Sequence, residues 1–341
     1  MIAVVKESAT EEQVGHFVDW IESKGLRADI SKGTGETIIG LVGDTTQIDP
    51  FLVESMDIID RVQRVSEPFK RANRKFHPLD TVVDCGHGVK VGGGNFNVIA
   101  GPCSVEGDNL LRIARAVKEA GATLLRGGAY KPRTSPYAYQ GMGEAGLDLL
   151  AEARDELDMP IVTEIMDPRD VQKFVDRNIE VWQIGARNAQ NFPLLKEVGK
   201  TQVPILLKRG VAGTIDELLM AAEYVMSEGN PNVMLCERGI RSFETRTRNT
   251  FDLNAVPVLH NLSHLPVVAD PSHATGYTRY VTPMALAATA AGADALEIEV
   301  HDDPSHAWSD GAQALTPAMF RDAMARIAKV REAVTMRVDE Q

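Results

Sequence analysis

Cysteine is scarce in this chain, and both long apolar runs and net positive charge are missing. The three cysteines, Cys85, Cys103 and Cys236, are odd in number and widely spaced. This argues against a disulfide framework and favours a reducing compartment. No apolar run is long enough to span a bilayer, and the N-terminus lacks the basic segment and apolar core of a secretory signal. We therefore expect a cytoplasmic protein with no membrane partner.

Acidic residues outnumber basic ones, which gives a formal net charge of -12. Such a chain would repel a polyanion, so the sequence predicts no nucleic-acid partner. The composition is otherwise typical of a globular protein, with 44% hydrophobic and 25% charged residues. The length of 341 residues allows two domains or one large barrel with an appendage. Basic clusters within an acidic chain predict pockets for small anions.

Residues 1–70 predict a small domain of their own. Strands are indicated at residues 2–5, 26–30, 37–42 and 58–65, with helices after Thr10 and at residues 50–55. This order of strand, helix, strand, strand, helix and strand fits a ferredoxin-like module of the α+β type. Asp29 and Ser31 lie on its second strand, where solvated polar positions are the common interpretation. The functional alternative is a regulatory domain that binds a small effector.

Residues 71–96 contain a basic linker and a glycine-rich segment. The segment from Gly86 to Gly94 lacks the Lys-Ser or Lys-Thr of a P-loop, and no helix follows it. We expect a tight β-hairpin that caps the end of a barrel. Cys85 and His87 are close enough to suggest a metal site, but a structural role is the stronger interpretation.

Residues 97–341 alternate regularly between short β-rich runs and helical patterns. The predicted strands cover residues 98–100, 123–125, 161–163, 181–184, 205–207, 233–235, 267–269 and 295–298. Helices are predicted at residues 109–120, 146–157, 168–177, 215–227, 282–291 and 317–334. Eight strand and helix units over roughly 240 residues predict an α/β fold, the (β/α)8 TIM barrel. A doubly wound open sheet is the alternative, although no switch point in the strand order is evident.

Polar or charged residues follow all eight predicted strands, and in a barrel these loops meet at one end. One set of side chains offers sulfur, nitrogen and oxygen ligands suited to zinc, manganese, iron, cobalt or copper: Cys103, His273, Glu299 and Asp310. Taken singly, each also fits a structural role, as a buried thiol, a loop histidine or a solvated carboxylate. The metal interpretation therefore depends on barrel geometry.

A second set of loop residues is cationic. It comprises Arg126, Lys131, Arg133, Arg187, Lys208 and Arg238, from five different loops. Surface arginines usually pair with carboxylates, but so many cations at one mouth indicate a highly anionic substrate, consistent with two phosphorylated molecules bound together.

Eight motifs in these loops resemble 3-deoxy-D-arabino-heptulosonate 7-phosphate (DAHP) synthase. They are GPCS (101–104), LRGGAYKPRTSPY (125–137), TEIMDP (163–168), WQIGARN (182–188), LLKRG (206–210), CERGIR (236–241), ADPSHATG (269–276) and EIEVH (297–301). The first domain resembles the regulatory extension of the type I-beta subgroup, so the resemblance covers nearly the whole chain.

The resemblance implies that phosphoenolpyruvate condenses with erythrose 4-phosphate and releases phosphate, the first step of the shikimate pathway. It implies that Cys103, His273, Glu299 and Asp310 bind the divalent metal. It implies phosphoenolpyruvate contacts from Arg126, Lys131, Ala186, Arg187, Lys208 and Arg238. The aldose phosphate would meet Lys131, Pro132, Arg133 and Thr134, and Glu164 would lie near the reacting carbons. Lys131 is the predicted proton donor or shuttle.

Two rival functions are considered beside this one. The sister enzyme 3-deoxy-D-manno-octulosonate 8-phosphate synthase uses the same barrel with a five-carbon sugar, but its loop typically carries an Ala-Asn-Arg-Ser type motif where this chain has KPRT. The second rival function is that of an effector-binding protein that keeps the barrel as a scaffold without catalysis. The resemblance also implies a homotetramer. It further implies inhibition by tyrosine or phenylalanine, and Asp29 and Ser31 are the candidate contacts to that amino acid.

Overall fold

The computed structural model describes residues 1–32, 37–45, 48–63, 67–133 and 135–335. The chain forms two compact units. Residues 1–80 together with 261–264 form the first, and residues 81–260 with 265–341 form the second. Each unit has its own apolar core.

The first unit is built on a four-stranded antiparallel sheet with the order β2-β3-β1-β4. Its elements are β1 Ile2–Val5, α1 Glu11–Ser23, β2 Arg27–Lys32, β3 Thr37–Val42, α2 Pro50–Glu54 and β4 Ile59–Gln63. Helix α1 begins with a capping box, in which Thr10 and Gln13 bind each other's backbone N–H groups. Phe17 and Ile21 on α1 pack into the core of this unit. The predicted ferredoxin-like order is confirmed.

The glycine-rich segment forms the predicted hairpin, with strands β5 Val83–Asp84 and β6 Lys90–Val91. Val83, Cys85 and Val91 are buried in one apolar cluster with residues near the starts of the barrel strands. The hairpin therefore seals the end of the barrel from which the parallel strands begin.

Eight parallel strands close the barrel in the order β10-β11-β12-β13-β14-β7-β8-β9. They are β7 Asn97–Gly101, β8 Leu124–Arg126, β9 Ile161–Glu164, β10 Val181–Ile184, β11 Ile205–Lys208, β12 Val233–Glu237, β13 Val267–Ala269 and β14 Ala295–Glu299. All of these strand residues are buried, as expected when helices cover the outside and side chains fill the inside. The TIM barrel prediction is confirmed.

The described helices of this unit are α3 Asn109–Glu119, α4 Glu144–Leu157, α5 Val171–Asp176, α6 Phe192–Gly199, α7 Ile215–Ser227, α8 Ala255–Leu262, α9 Pro271–Thr275, α10 Thr278–Ala290 and α11 Pro317–Thr335. Six of them correspond to predicted helices, whereas α6, α8 and α9 were not predicted. Within the described ranges, no helix combines the length and apolarity needed to cross a membrane.

The barrel closes where its last strand pairs with its first. Strand β14 runs parallel to β7, with Glu299 opposite Gly101 at the carboxyl end. Alternate residues of a strand point to the same side, so Glu297 lies one layer beneath Glu299. Both carboxylates are fully buried, and the site described next is built above and around them.

Candidate active site

Four potential metal ligands meet at the carboxyl end of the barrel strands. Each of Cys103, His273, Glu299 and Asp310 offers one ligand atom, and these atoms all lie within 4.8 Å of one another. They come from four separate places in the chain, namely the loop after β7, helix α9, the end of β14 and the loop that follows β14. The structure thus brings together the whole set that the sequence predicted as ligands.

The orientation of His273 is set by Asp270, the residue that caps α9. One oxygen of Asp270 accepts the backbone N–H of His273 at 2.9 Å, and the other accepts from its Nδ1 at 2.7 Å. This second oxygen also accepts from Lys208 Nζ at 2.6 Å. With Nδ1 donating to a carboxylate, Nε2 is left to face the cluster, where it lies 3.3 Å from Glu299 Oε1.

Both oxygens of Glu299 have donors, although the side chain is fully buried. Oε1 accepts from Arg126 Nη1 at 2.8 Å, and Oε2 accepts from Gln313 Nε2 at 2.7 Å. Burial by itself would raise the pKa of Glu299, but the charges of His273 and Arg126 lower it. Glu299 is therefore held as a carboxylate, the form that binds a metal.

Asp310 and Cys103 complete the cluster. Asp310 adopts a left-handed conformation with φ 50°, and its pKa is lowered to about 2 because the charges of Arg248 and His273 outweigh its burial. The Cys103 thiol donates to Asp310 Oδ2 at 3.4 Å. Burial, reinforced by the charge of Glu299, raises the pKa of Cys103 to about 11, so the thiolate requires a nearby cation.

These four donors fit a divalent transition metal. The set is mixed in sulfur, nitrogen and oxygen, its histidine is already oriented through Nδ1, and its carboxylates are held ionised. The residues could therefore hold such an ion, in agreement with the sequence prediction.

A cationic pocket of about 180 Å³ adjoins the cluster. Predicted substrate contacts among its lining residues are Lys131, Pro132, Arg133, Ala186, Arg187, Lys208 and Arg238. Arg126 is buried just beneath, against Cys103 and Glu299. Thr134, also predicted here, lies outside the described residues. The pocket has the charge expected for binding anions.

Lys131 links the pocket to the cluster. Its side chain is buried, and Nζ donates to the sulfur of Cys103 at 2.9 Å and to its carbonyl oxygen at 3.0 Å. The neighbouring Arg133 donates from Nε to the carbonyl of Tyr139 at 3.1 Å, which fixes its position along the wall of the pocket.

Two buried basic residues at this end of the barrel, Arg209 after β11 and Arg238 after β12, have different roles. Arg209 forms ion pairs with Glu237 and Asp252, each at 2.8 Å from its Nη1. It therefore connects the loop after β11 to residues at and beyond the end of β12. Arg238 is only 5% exposed and its guanidinium bonds the carbonyl of Gly239. Among the described residues no carboxylate lies within salt-bridge distance of Arg238, and burial lowers its pKa. Such a buried cation favours an anionic ligand.

Glu164 lies at the end of β9 and lines the same pocket. It is almost fully buried, and burial raises the pKa of its carboxyl group. Its Oε1 has no hydrogen-bond partner, and Gln183 Nε2 approaches Oε2 at 3.5 Å. Room for this carboxyl depends on Gly185, where an added Cβ would come within 1.9 Å of Oε1.

Sequence reasoning missed several residues of the site. Arg241, Arg248 and Asn249 line the pocket, although Arg241 falls inside the quoted CERGIR motif. Glu297 contacts two of the cations predicted to bind substrate, with Arg126 Nη1 at 3.5 Å and Lys208 Nζ at 3.0 Å. The Glu-Ile-Glu alternation of β14 was the available signal for Glu297, because it places residues 297 and 299 on one side of the strand.

The other predicted residues lie elsewhere. Asp29 and Ser31 belong to the first unit, on the opposite side of β2 from Ile30 and Lys32, and Asp29 is 3.8 Å from Arg71. His87 pairs with Asp158 and Glu180 at the sealed end of the barrel, and Cys85 is a buried thiol of the apolar core. In the part of the chain that the structure describes, neither Cys85 nor His87 belongs to a metal-capable cluster.

Comparison with known proteins agrees with this geometry. The model of the DAHP synthetase I family matches residues 44–335. The chain belongs to this family. A model of the DAHP synthase ferredoxin-like domain matches residues 1–67. The predicted resemblance to DAHP synthase is confirmed, as is the prediction that the chain is an enzyme of this kind.

Individual relatives of this DAHP synthase family member match all or most of its length. The phospho-2-dehydro-3-deoxyheptonate aldolase of Thermotoga maritima is 47% identical over 99% of this chain and 100% of its own. A crystal structure of the Thermotoga maritima protein superposes with a TM-score of 0.77, covering 98% of this chain and 97% of that one. A 2-dehydro-3-deoxyphosphooctonate aldolase from Koribacter versatilis is 30% identical over 72% of this chain and 95% of its own.

Proposed function

We propose that this enzyme condenses phosphoenolpyruvate with erythrose 4-phosphate to give DAHP and inorganic phosphate, with a divalent metal held by Cys103, His273, Glu299 and Asp310. In the reaction, C3 of phosphoenolpyruvate bonds to the aldehyde carbon, water adds its oxygen to C2, and the bond from C2 to the phosphate oxygen breaks. C2 becomes a carbonyl, so the oxygen derived from water loses both of its protons. The aldehyde oxygen gains one proton, and the other leaves with the phosphate.

The observation that carries this proposal is the buried Arg238 guanidinium, which lacks a carboxylate partner within the described chain and faces the same pocket as the metal-capable cluster. A buried cation is costly unless an anion compensates it. The phosphate and carboxylate of phosphoenolpyruvate supply that anion, together with Arg187 and Lys208 on the neighbouring loops.

The cations act mainly by orientation. Lys208 and Arg126 are fixed by the buried carboxylates Asp270, Glu297 and Glu299, so they meet the substrate without reorganising. The Ala186 amide lies at the start of a short 3₁₀ turn in the pocket wall and adds a backbone donor. This arrangement would hold two phosphorylated molecules side by side despite their mutual repulsion.

A bound divalent metal supplies Lewis acidity that polarises the aldehyde. Lys131 is the proposed proton donor to the oxygen formed from that aldehyde, because its ammonium lies against the ligand Cys103 and also lines the substrate pocket. Glu164, whose pKa is raised by burial, faces the same space and is proposed to act near the reacting carbons.

Phosphate release provides the test. We expect turnover with phosphoenolpyruvate and erythrose 4-phosphate that a chelator abolishes and Mn²⁺ restores. Arabinose 5-phosphate is the informative control, since relatives named as octulosonate aldolases also match this chain. Preference for the five-carbon sugar would refute the specificity that we assign to Lys131, Pro132 and Arg133. No release with either sugar would favour a non-catalytic effector-binding protein.

We also propose that the ferredoxin-like unit binds tyrosine or phenylalanine and inhibits the barrel. Support comes from a groove of about 430 Å³ within this unit, whose apolar lining includes Val14, Val18 and Ile30. Glu11, Asp19 and Lys32, which also line it, offer charges of both signs for an amino-acid zwitterion. Asp29 and Ser31, on the other side of β2, remain the alternative contacts.

Deletion of residues 1–70 tests the regulatory proposal. The truncated enzyme should keep its turnover and lose inhibition by aromatic amino acids, and persistent inhibition would refute the assignment. In the full chain, Lys32→Ala and the double variant Asp29→Ala with Ser31→Ala distinguish the two sides of β2. The predicted homotetramer and cytoplasmic location remain predictions, the first of which sedimentation of the purified protein would test.

A further inference from the structure

The two ends of the loop that carries Asp310 are joined by backbone hydrogen bonds, and contacts with a neighbouring loop hold its middle. Residues 300–315 leave β14 and return to it, since His301 N donates to the Leu315 carbonyl and Leu315 N donates to the Glu299 carbonyl, each at 2.9 Å. Asp310, at the far part of this loop, takes a left-handed backbone conformation. A residue other than glycine pays about 1–2 kcal/mol for this conformation, so surrounding contacts must hold it.

The loop is held at its side by Glu106, which follows the first barrel strand. Its side chain is only 5% exposed. Oε1 accepts the backbone N–H of Trp308 at 2.8 Å, and Oε2 lies 3.1 Å from His301 Nε2. One carboxylate therefore grips the loop near its start and again two residues before Asp310.

The imidazole of His301 is oriented for this contact. Its Nδ1 accepts the backbone N–H of Asp303 at 3.0 Å, so the ring proton resides on Nε2 and is donated to Glu106. Ser104 and Ser309 join the same two loops through their hydroxyl groups. The neighbours Cys103 and Asp310 are both ligands in the proposed cluster.

We infer that Glu106 is a positioning residue for the metal site: by clasping Trp308 and His301 it holds Asp310 at the distance from Cys103 that a shared ion requires. The role rests on the proposed metal dependence. Glu106 itself is outside the cluster of ligand atoms and outside the substrate pocket. Its loss should therefore weaken metal binding while leaving the chemistry of the loaded enzyme nearly intact.

The test is calorimetric titration of metal-free enzyme with Mn²⁺, for wild type, Glu106→Ala and Glu106→Gln. We expect the dissociation constant of Glu106→Ala to rise about 10- to 100-fold, the usual loss when an outer partner of a ligand is removed. The dissociation constant of Glu106→Gln should lie between those of wild type and Glu106→Ala. Its amide oxygen still accepts from the Trp308 N–H, whereas its NH₂ group cannot accept from His301. Glu119→Gln, an exposed change on α3, is the matched control.

Kinetics separate this role from catalysis. At saturating Mn²⁺, kcat and the KM for phosphoenolpyruvate should remain within about twofold of wild type in Glu106→Gln, since no contact to the substrate is removed. Equal Mn²⁺ affinity in wild type and Glu106→Gln would overturn the inference, even if Glu106→Ala failed to fold. If the wild-type enzyme itself bound no Mn²⁺, the proposed metal site would be refuted, and the positioning role of Glu106 would be refuted with it.

Discussion

The ammonium of Lys131 donates to the sulfur of Cys103 across 2.9 Å, deep in the barrel mouth where both side chains are buried. This contact joins the proposed proton donor directly to a proposed metal ligand. A substitution at Lys131 therefore distinguishes a proton-transfer role from a role in assembling the cluster.

Lys131→Met should abolish most turnover and leave metal content unchanged. Methionine keeps much of the side-chain volume but cannot donate a proton, and a positioned acid typically contributes about 10²- to 10⁴-fold to rate. Phosphate release and metal analysis of the same preparation measure the two properties. Lys329→Met, at an exposed position on α11, is the control. Turnover retained in Lys131→Met would exclude the proton role.

Gly185→Ala should cost activity because of a single added carbon. That Cβ would come within 1.9 Å of Glu164 Oε1, whereas the corresponding Cβ at Gly210, after the next strand, would meet nothing closer than 3.6 Å. Overpacking of this kind costs about 1–3 kcal/mol and displaces the carboxyl group. We expect kcat to fall in Gly185→Ala and to stay near wild type in Gly210→Ala. Equal kcat in both variants would show that the position of Glu164 is unimportant.

Glu297→Gln should destabilise the free enzyme and enlarge the stabilisation by substrate. Glu297 is a buried counter-charge for Arg126 and Lys208, and breaking a buried pair typically costs about 3–5 kcal/mol. Bound phosphoenolpyruvate would compensate the two cations. Thermal unfolding with and without phosphoenolpyruvate should therefore give a larger increase in Tm for Glu297→Gln than for wild type. An equal increase would mean that Glu297 does not balance these cations.

His87 predicts a pH-dependent contribution to the stability of the hairpin that seals the barrel. The hydrogen bond from His87 to Asp158, at 2.5 Å, and the nearby Glu180 raise its pKa. A raised pKa in the folded state means that the stabilisation is fully present below the unfolded value of about 6.5 and is lost as pH rises through the folded pKa. The contribution is small, because Asp158 is largely exposed and water screens the pair.

The measurement is the free energy of unfolding in denaturant from about pH 6 to 9, for wild type and His87→Asn. Asparagine tolerates the positive φ of 51° at this position, so the backbone is preserved. The difference between the two proteins should shrink as pH rises. A difference that is constant with pH would rule out titration of His87 as its source.

The barrel could be predicted from sequence because its strands are short apolar runs followed by polar loop residues. The strands at residues 181–184 and 267–269 were predicted with the bounds that the structure has. The missed helices explain the limit of this pattern. Helix α6 begins Phe-Pro and α8 contains Pro257, and both are only eight residues long, so neither shows the several regular apolar turns that identify an amphipathic helix.

The site was predictable residue by residue only where the loops carry unusual chemistry. The four metal-capable residues were predicted and do converge. Local spacing does not explain why Lys208, which belongs to the predicted cationic set, lines the pocket, whereas the adjacent Arg209, which does not, binds Glu237 and Asp252. That distinction depends on which side of a strand end each residue faces and on partners about 30 to 45 residues away, which local spacing does not encode.

The closure of the barrel between its last and first strands has a consequence for how the protein matures. Cys103 follows the first strand, whereas Glu299 and Asp310 lie about two hundred residues later. No nascent chain therefore possesses the complete ligand set until its final strand and the loop after it have been synthesised and that strand has paired with β7. Metal binding would then stabilise only molecules whose barrel is closed, because the binding free energy adds to the stability of the folded state alone. The complete ligand cluster would thus form late in folding and stabilise the closed barrel. It would be absent from every partly folded form.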